Sequence, residues 1–309
     1  MFLNIDRQAR MRWRKSRIQL EKKLVEGKKR TSVFGAKAEP ANTITHAVNF
    51  AVFLMGLSAR GKRNTYDFSI NNVDFSFSDL PPAFDGYKVL HLSDLHIGHI
   101  DDLPGMIGDK LLTLNPDLVV MTGDFQTNGT PSVSETAELV SYLVSSVKSR
   151  DGWIAVLGNH DRHNMLDALE AIGVRVLANE SVSISRGKDV LQLVGTDDVH
   201  AFYSSDAVTS LESHQEGFRI ALIHTVDLAT VAAESGFSLY LSGHTHGGQI
   251  CLPGGRPLIT ALDSHRHLAS GKWEFKGMQG YTNRGLGHGL TPIRFNCSGE
   301  ATLIRLVKK

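Results

Sequence analysis

Five times between residues 88 and 246 the chain repeats one pattern: a short apolar run that ends in residues able to bind a cation. Val89-Leu90-His91-Leu92-Ser93 leads into Asp94-Leu95-His96, and Leu118-Val119-Val120-Met121-Thr122 into Gly123-Asp124. Ile154-Ala155-Val156-Leu157 leads into Gly158-Asn159-His160-Asp161, Ile220-Ala221-Leu222-Ile223 into His224, and Leu239-Tyr240-Leu241-Ser242 into Gly243-His244-Thr245-His246. Continuous apolar runs of this length read as strands covered on both faces. Helical patterns over 103–114, 134–148, 164–172 and 226–234 alternate with strands expected over 88–93, 118–121, 153–157, 190–194, 219–223 and 238–241. That alternation is α/β architecture. Open α/β sheets bind ligands outside the carboxyl ends of their strands, so the five runs are expected to converge on one site. A Gly-Asp pair or a lone buried His is common, and it is the succession that constrains the chain.

Around this unit the sequence predicts a hairpin over 66–77 turning at Asn71-Asn72, and tail strands over 293–296 and 301–307 after a Gly-rich loop. Charge divides the chain. Residues 1–40 carry twelve Lys/Arg against four Asp/Glu, leaving 21 against 28 in residues 41–309, so a basic arm precedes an acidic body. An acidic body argues against a nucleic-acid groove. The arm reads as a helix around 11–24, then a loop through Gly35 and Pro40, then an apolar run at 47–57 with Arg60, Lys62 and Arg63 behind it. Eleven residues with an internal Asn49 fall short of the roughly 20 that span a bilayer, and the run starts too late for a signal peptide. A helix lying on an anionic membrane surface fits that pattern. We therefore divide the chain into 1–63, a membrane-surface extension, and 64–309, one domain. Cys251 and Cys297 are too few for a disulfide framework and favour a reducing compartment.

The ligand-type residues are carboxylate, imidazole and amide, with no thiolate among them. This set suits two neighbouring divalent cations sharing a carboxylate, with Mn²⁺ first and Zn²⁺, Fe²⁺ or Co²⁺ as alternatives. Residues two apart, as in Asp-x-His and His-x-His, reach one site only if the backbone turns where the strand ends.

The ordered set Asp-x-His, Gly-Asp, Gly-Asn-His-Asp, His and Gly-His-x-His resembles the calcineurin-like metallophosphoesterase superfamily over roughly residues 86–309. The resemblance implies a four-layer α-β-β-α sandwich of two mixed sheets. It implies one metal on Asp94, His96, Asp124 and His246, and a second on Asp124, Asn159, His224 and His244, with Asp124 bridging. It further implies in-line attack on phosphorus by water activated between the ions, with His160 protonating the leaving oxygen and Asp161 orienting His160. Leu95-His96-Ile97-Gly98, Gly243–Ile250 and Asn283-Arg284-Gly285-Leu286-Gly287 look like the bacterial membrane-associated branch. That branch holds broad phosphodiesterases and UDP-2,3-diacylglucosamine pyrophosphatases. The resemblance therefore implies a phosphorylated small-molecule or lipid-linked substrate, met on the cytoplasmic membrane face. Hydrolysis of UDP-2,3-diacylglucosamine in lipid A assembly is the leading expectation, and a broad phosphodiesterase on nucleotides or nucleic acid is the alternative.

Arg284 and Arg162 are candidate substrate contacts, since a guanidinium fork fits phosphate oxygens. His99, His163 and His288 fall near the site loops, His91 lies in a strand, and His46, His200, His214, His265 and His267 carry no pattern. Phe34 and Ala201-Phe202-Tyr203 are either core or the wall of an acyl channel.

Overall fold

The computed structural model describes residues 6–26, 41–100, 102–127, 130–213, 217–258, 260, 262, 264–289 and 291–309. The loop expected through Gly35 and Pro40, together with Phe34 and His214, lies outside the described residues, as does the side chain of His46. Three helices open the chain: α1 (Arg7–Val25), α2 (Ala41–Leu54) and α3 (Ser58–Arg63). There follow β1 (Phe68–Phe77), β2 (Lys88–Leu92), α4 (Leu103–Leu111), β3 (Leu118–Thr122), α5 (Val133–Ser146), β4 (Trp153–Val156), α6 (Met165–Ala171) and β5 (Val174–Val176). The second half runs β6 (Glu180–Arg186), β7 (Asp189–Gly195), α7 (Ser205–Glu212), β8 (Phe218–Leu222), α8 (Ala229–Glu234), β9 (Leu239–Ser242), β10 (Gly271–Phe275), β11 (Met278–Thr282) and β12 (Gly299–Lys308).

These strands form two six-stranded sheets, ordered β1-β12-β2-β3-β4-β5 and β10-β11-β9-β8-β7-β6. In both, parallel neighbours (β2, β3, β4, β5 and β7, β8, β9) sit beside antiparallel ones, so each sheet is mixed. The apolar runs have no polar alternation because both faces of each central strand are covered. In β3, Leu118 and Val120 pack between the sheets against Leu193, Ile220 and Leu241, while Val119 and Met121 pack under Ile107, Val140 and Leu166 of the helical layer. Ala221 and Tyr240 on the far side of the second sheet meet Leu211, Ala229 and Ala232. The result is a four-layer α-β-β-α sandwich.

Two expectations are corrected. The Asn71-Asn72 hairpin does not form. β1 is one continuous strand paired in parallel with β12, with Asn71 opposite Thr302 and Asn72 opposite Leu303. The apolar phase shifts there because the covering changes: Phe68 and Ile70 face the helical layer, whereas Val73, Phe75 and Phe77 face the other sheet. Asn71 stays in the ladder by donating its side-chain amide to Glu300. Nor is there a strand over 293–296. Phe295 makes only an isolated bridge to Ile250, because the intervening Arg294 turns inward as a fully buried side chain.

Candidate metal centre

The five ligand-bearing turns follow β2, β3, β4, β8 and β9, and the parallel pairing within each sheet delivers them to one edge of the sandwich. At that edge the backbone leaves extended geometry abruptly. Asp94, His96, Asp124, His244 and His246 all adopt positive φ, between 41° and 69°. Asp and His tolerate this region better than most residues, yet each costs about 1–3 kcal/mol. That reversal lets residues two apart face a common point. Space is tight enough to demand glycine beside them: a Cβ on Gly243 would lie 1.9 Å from Ser93 Oγ and 2.2 Å from Asp94 Oδ2.

Two buried groups result. Ligand atoms of Asp94, His96 and His246 lie within 4.8 Å of one another, as do those of Asp124, His224 and His244. Asp124 joins them, its Oδ2 standing 3.5 Å from His96 Nε2 and 3.3 Å from His224 Nε2. Asn159 Oδ1 is 3.1 Å from His224 Nε2, so all seven residues expected to bind metal meet at this edge. Outer contacts aim the rings. His224 Nδ1 donates to the Thr122 carbonyl at 2.6 Å, which aims Nε2 into the site. His96 Nδ1 lies 2.7 Å from Thr127 Oγ1, and its Nε2 approaches His246 Nε2 at 3.2 Å.

The electrostatics call for positive charge. Burial lifts the Asp94 carboxyl to about 7, the Asp124 charge adding to it against the pull of His224. Burial also drives His96 and His246 well below the usual imidazole range. Asp124 runs the other way: burial raises it, but His224 and His160 outweigh that and hold it well below the carboxylate range. Burial alone would lower His224 too, but Asp124 and Asp94 outweigh it and hold His224 well above the usual imidazole range, so in the empty site it shares its proton with these carboxylates. Four imidazoles converging with two carboxylates and an amide oxygen in a buried pocket are a donor set that fits a pair of divalent cations.

His160 stands apart from the buried ligands. It is half-buried, its ring centroid 5.2 Å from that of His96, and its backbone N–H donates to Asp124 Oδ1 at 2.9 Å. Asp161 holds the turn behind it. Its Oδ1 accepts from Phe125 and Gln126 N–H and its Oδ2 from Asp124 and Gly158 N–H, at 2.8–3.3 Å, binding the third turn to the second. Arg284 closes on buried Glu300 through Nε (2.8 Å) and Nη2 (2.5 Å). Arg162 is exposed and lines a hollow with Ile18, Glu21 and His163 near the C-terminal half of α1.

Sequence reasoning passed over three contributors. His200 had no pattern, yet its ring centroid lies 4.5 Å from that of His244, and its Nδ1 is 3.8 Å from Asp227 Oδ2. Arg294 is fully buried and donates to the carbonyls of Arg284 (2.8 Å), Gly287 (2.7 Å) and Cys297 (3.1 Å), with Nη2 3.5 Å from His246 Nδ1. An arginine inside the apolar stretch Pro292-Ile293-Arg294-Phe295 was the available signal. Arg17 of α1 is the third. Of the flagged histidines, His99 stacks between His96 and His288, His163 pairs with Glu21, and His91 is a core residue 2.9 Å from Thr122 Oγ1.

A model of the calcineurin-like phosphoesterase family matches residues 87–248. The uncharacterized metallophosphoesterase YkuE of Bacillus subtilis is 30% identical over 89% of this chain and 94% of its own length. Phosphodiesterase YaeI of Escherichia coli is 30% identical over 72% of this chain and 82% of its own. The UDP-2,3-diacylglucosamine pyrophosphatase LpxG of Chlamydia trachomatis is 26% identical over 74% of this chain and 86% of its own.

Proposed function

The chain belongs to the calcineurin-like phosphoesterase family and is a metal-dependent hydrolase of phosphoester bonds, and from that premise we propose that it cleaves a phosphodiester or pyrophosphate bond of a lipid-linked substrate at a membrane surface. The observation that carries the lipid half is an apolar face beside the metal centre. On α2, Asn49 and Val52 turn inward while Phe50, Phe53 and Leu54, with Met55 just beyond the helix, are 62–67% exposed, followed by exposed Arg60, Lys62 and Arg63. The same segment that carries Arg294 to His246 packs on this unit: Arg294 N–H donates to Gly61 O at 3.0 Å, and Thr291 Oγ1 accepts from Asn49. An exposed apolar helix face with a basic flank suits an anionic interface. Among the described residues no helix is long and apolar enough to cross a membrane; in this reading the exposed face of α2 and its basic flank meet the cytoplasmic membrane face from its surface, while α1 packs on the domain.

In this reading Asp94, His96, Asp124 and His246 hold one cation and Asp124, Asn159, His224 and His244 the other, Mn²⁺ being the first to test. Divalent cations in such a site supply Lewis acidity at the phosphoryl oxygens and a nucleophilic water at neutral pH. The chain's own residues do the rest. Thr122 and Thr127 hold the Nδ1 sides of His224 and His96, so that their Nε2 atoms face the site. His160, half-exposed beside the buried cluster, gives its proton to the leaving oxygen, and Asp161 orients it through the backbone by locking the turn. Arg162 is free to meet a headgroup, whereas Arg284 is engaged with Glu300.

UDP-2,3-diacylglucosamine, the substrate in the name of LpxG, is the first compound to try. Release of UMP and a lipid monophosphate by Mn²⁺-loaded protein in detergent, abolished by His160→Ala, supports the reading. Hydrolysis of bis(4-nitrophenyl) phosphate alone favours the second reading, a broad phosphodiesterase, to which the name of YaeI points. Sedimentation with phosphatidylglycerol vesicles, lost in Phe50→Ser/Phe53→Ser, tests the membrane half.

A further inference from the structure

α1 is basic almost all round, but its contacts with the domain fall on one stripe: Arg10, Trp13, Arg14, Arg17 and Glu21, at helical spacing. Arg10 reaches Glu170 and Glu180 at 2.6–2.8 Å, and Trp13 Nε1 donates to buried Asp197 at 2.8 Å. Glu21 accepts from His163 N–H and faces its Nδ1 at 2.8 Å. Arg17 is the centre of the stripe. Its side chain is 0% exposed and its guanidinium lies 3.4 Å above the Phe202 ring, the aromatic left open between core and channel wall by the sequence. Nη1 donates to Asp197 at 2.5 Å, while Nη2 donates to the carbonyls of Gly158 (3.2 Å) and Asp161 (2.7 Å).

Those two carbonyls are the ends of the four-residue turn that carries Asn159 and His160. A buried guanidinium is tolerated only where its donors are matched, and here Asp197 and Glu21 match Nη1 and Nε while the turn itself matches Nη2. We infer that Arg17 is a positioning residue for His160, so that the N-terminal helix completes the catalytic centre from outside the matched family region. The inference rests on the assignment of His160 as proton donor. Asp161 ties the turn inward to the Asp124 loop, and Arg17 clamps it from the other side. Lysine keeps the charge but cannot bond two carbonyls and Asp197 in one plane.

The test uses full-length, Mn²⁺-loaded protein and two diesters that differ in the leaving alcohol, methyl 4-nitrophenyl phosphate and methyl phenyl phosphate. Phenol needs protonation far more than 4-nitrophenol. Arg17→Lys is expected to lower kcat for the phenyl ester about ten- to a hundredfold and for the nitrophenyl ester within about threefold, with KM within about twofold. His160→Ala is to show the same discrimination, and Arg14→Ala, which breaks an exposed pair on the same helix, none. In metal-free protein, amide hydrogen exchange at 158–162 is to rise at least about tenfold in Arg17→Lys alone, since local opening sets exchange. If circular dichroism finds Arg17→Lys unfolded, Phe202→Leu, which removes the ring beneath the guanidinium, carries the same readouts. Equal losses on both esters, or exchange matching Arg14→Ala, overturn the inference while leaving His160 in place. A His160→Ala protein that fails to discriminate overturns the His160 assignment, and the inference falls with it.

Discussion

Replacing Arg294 by Met should cost far more than its distance from the substrate suggests. The guanidinium is fully buried and bonds three carbonyls at 2.7–3.1 Å. Hydrogen bonds to a charged group contribute about 1.5–3 kcal/mol each, roughly 5–9 kcal/mol gross for three. Against that stands the cost of desolvating the ion, several kcal/mol, which the apolar variant no longer bears. Methionine fills much of the volume but leaves the carbonyls of Arg284, Gly287 and Cys297 without donors in a dry interior, so a net loss of about 3–5 kcal/mol is expected. The damage should also reach the metal centre, because the same side chain lies 3.5 Å from His246 Nδ1. Urea unfolding of metal-free protein measures the first effect, and calorimetric titration with Mn²⁺ the second. A loss under about 1 kcal/mol with unchanged Mn²⁺ affinity would refute the view that Arg294 holds the Gly-rich loop against His246.

Three other outcomes follow from the same contacts. Asp161→Asn turns an amide toward backbone N–H donors that now meet a carboxylate, and a stability loss of about 2–4 kcal/mol by urea unfolding is expected at pH 8. Gly243→Ala drives a methyl group into Ser93 and Asp94, so calorimetry should find Mn²⁺ affinity reduced more than about tenfold, second contacts of this kind being worth that much. Burial raises the Glu170 carboxyl, but Arg10 and Arg175 outweigh it and hold the group below its ordinary value. A depressed carboxyl stabilises the fold fully above its unfolded value, near 4.5, and the contribution disappears as pH falls through the folded value. The stability difference between wild type and Glu170→Gln should therefore be present at pH 6 and shrink steadily below pH 4.5; a difference independent of pH would show that the α1 anchor is not ionic.

The clustering of the candidate ligands is legible in the sequence because two physical demands coincide in them. Strands covered on both faces write themselves as unbroken apolar runs, and the turns that follow favour residues tolerant of positive φ, which here are also the candidate ligands. Asp94, His96, Asp124, His244 and His246 carry both signals at once. The pattern of β1 resembles a hairpin because period-two alternation reports which face is covered, and at Asn71-Asn72 the covering changes while the strand continues. β10 and β11, which contain Gly271 and Gly280 and are joined by a turn at Gly277, lack an apolar run to announce them. Arg17, Arg294 and His200 act through tertiary contacts at sequence separations of 141, 48 and 44 residues from Gly158, His246 and His244. No local pattern encodes such distances. The basic arm is visible as charge, but the partners of its stripe, Glu170 on α6, Glu180 on β6 and Asp197 in the loop after β7, meet only in the fold.

The central claim is a two-cation site sharing Asp124. After chelation, calorimetric titration of the wild type with Mn²⁺ should give two equivalents. His244→Ala should bind one tightly, and Asp124→Asn, which touches both groups, should lose tight binding of both. Two equivalents retained by Asp124→Asn, or a single equivalent in the wild type, would contradict the shared dinuclear centre.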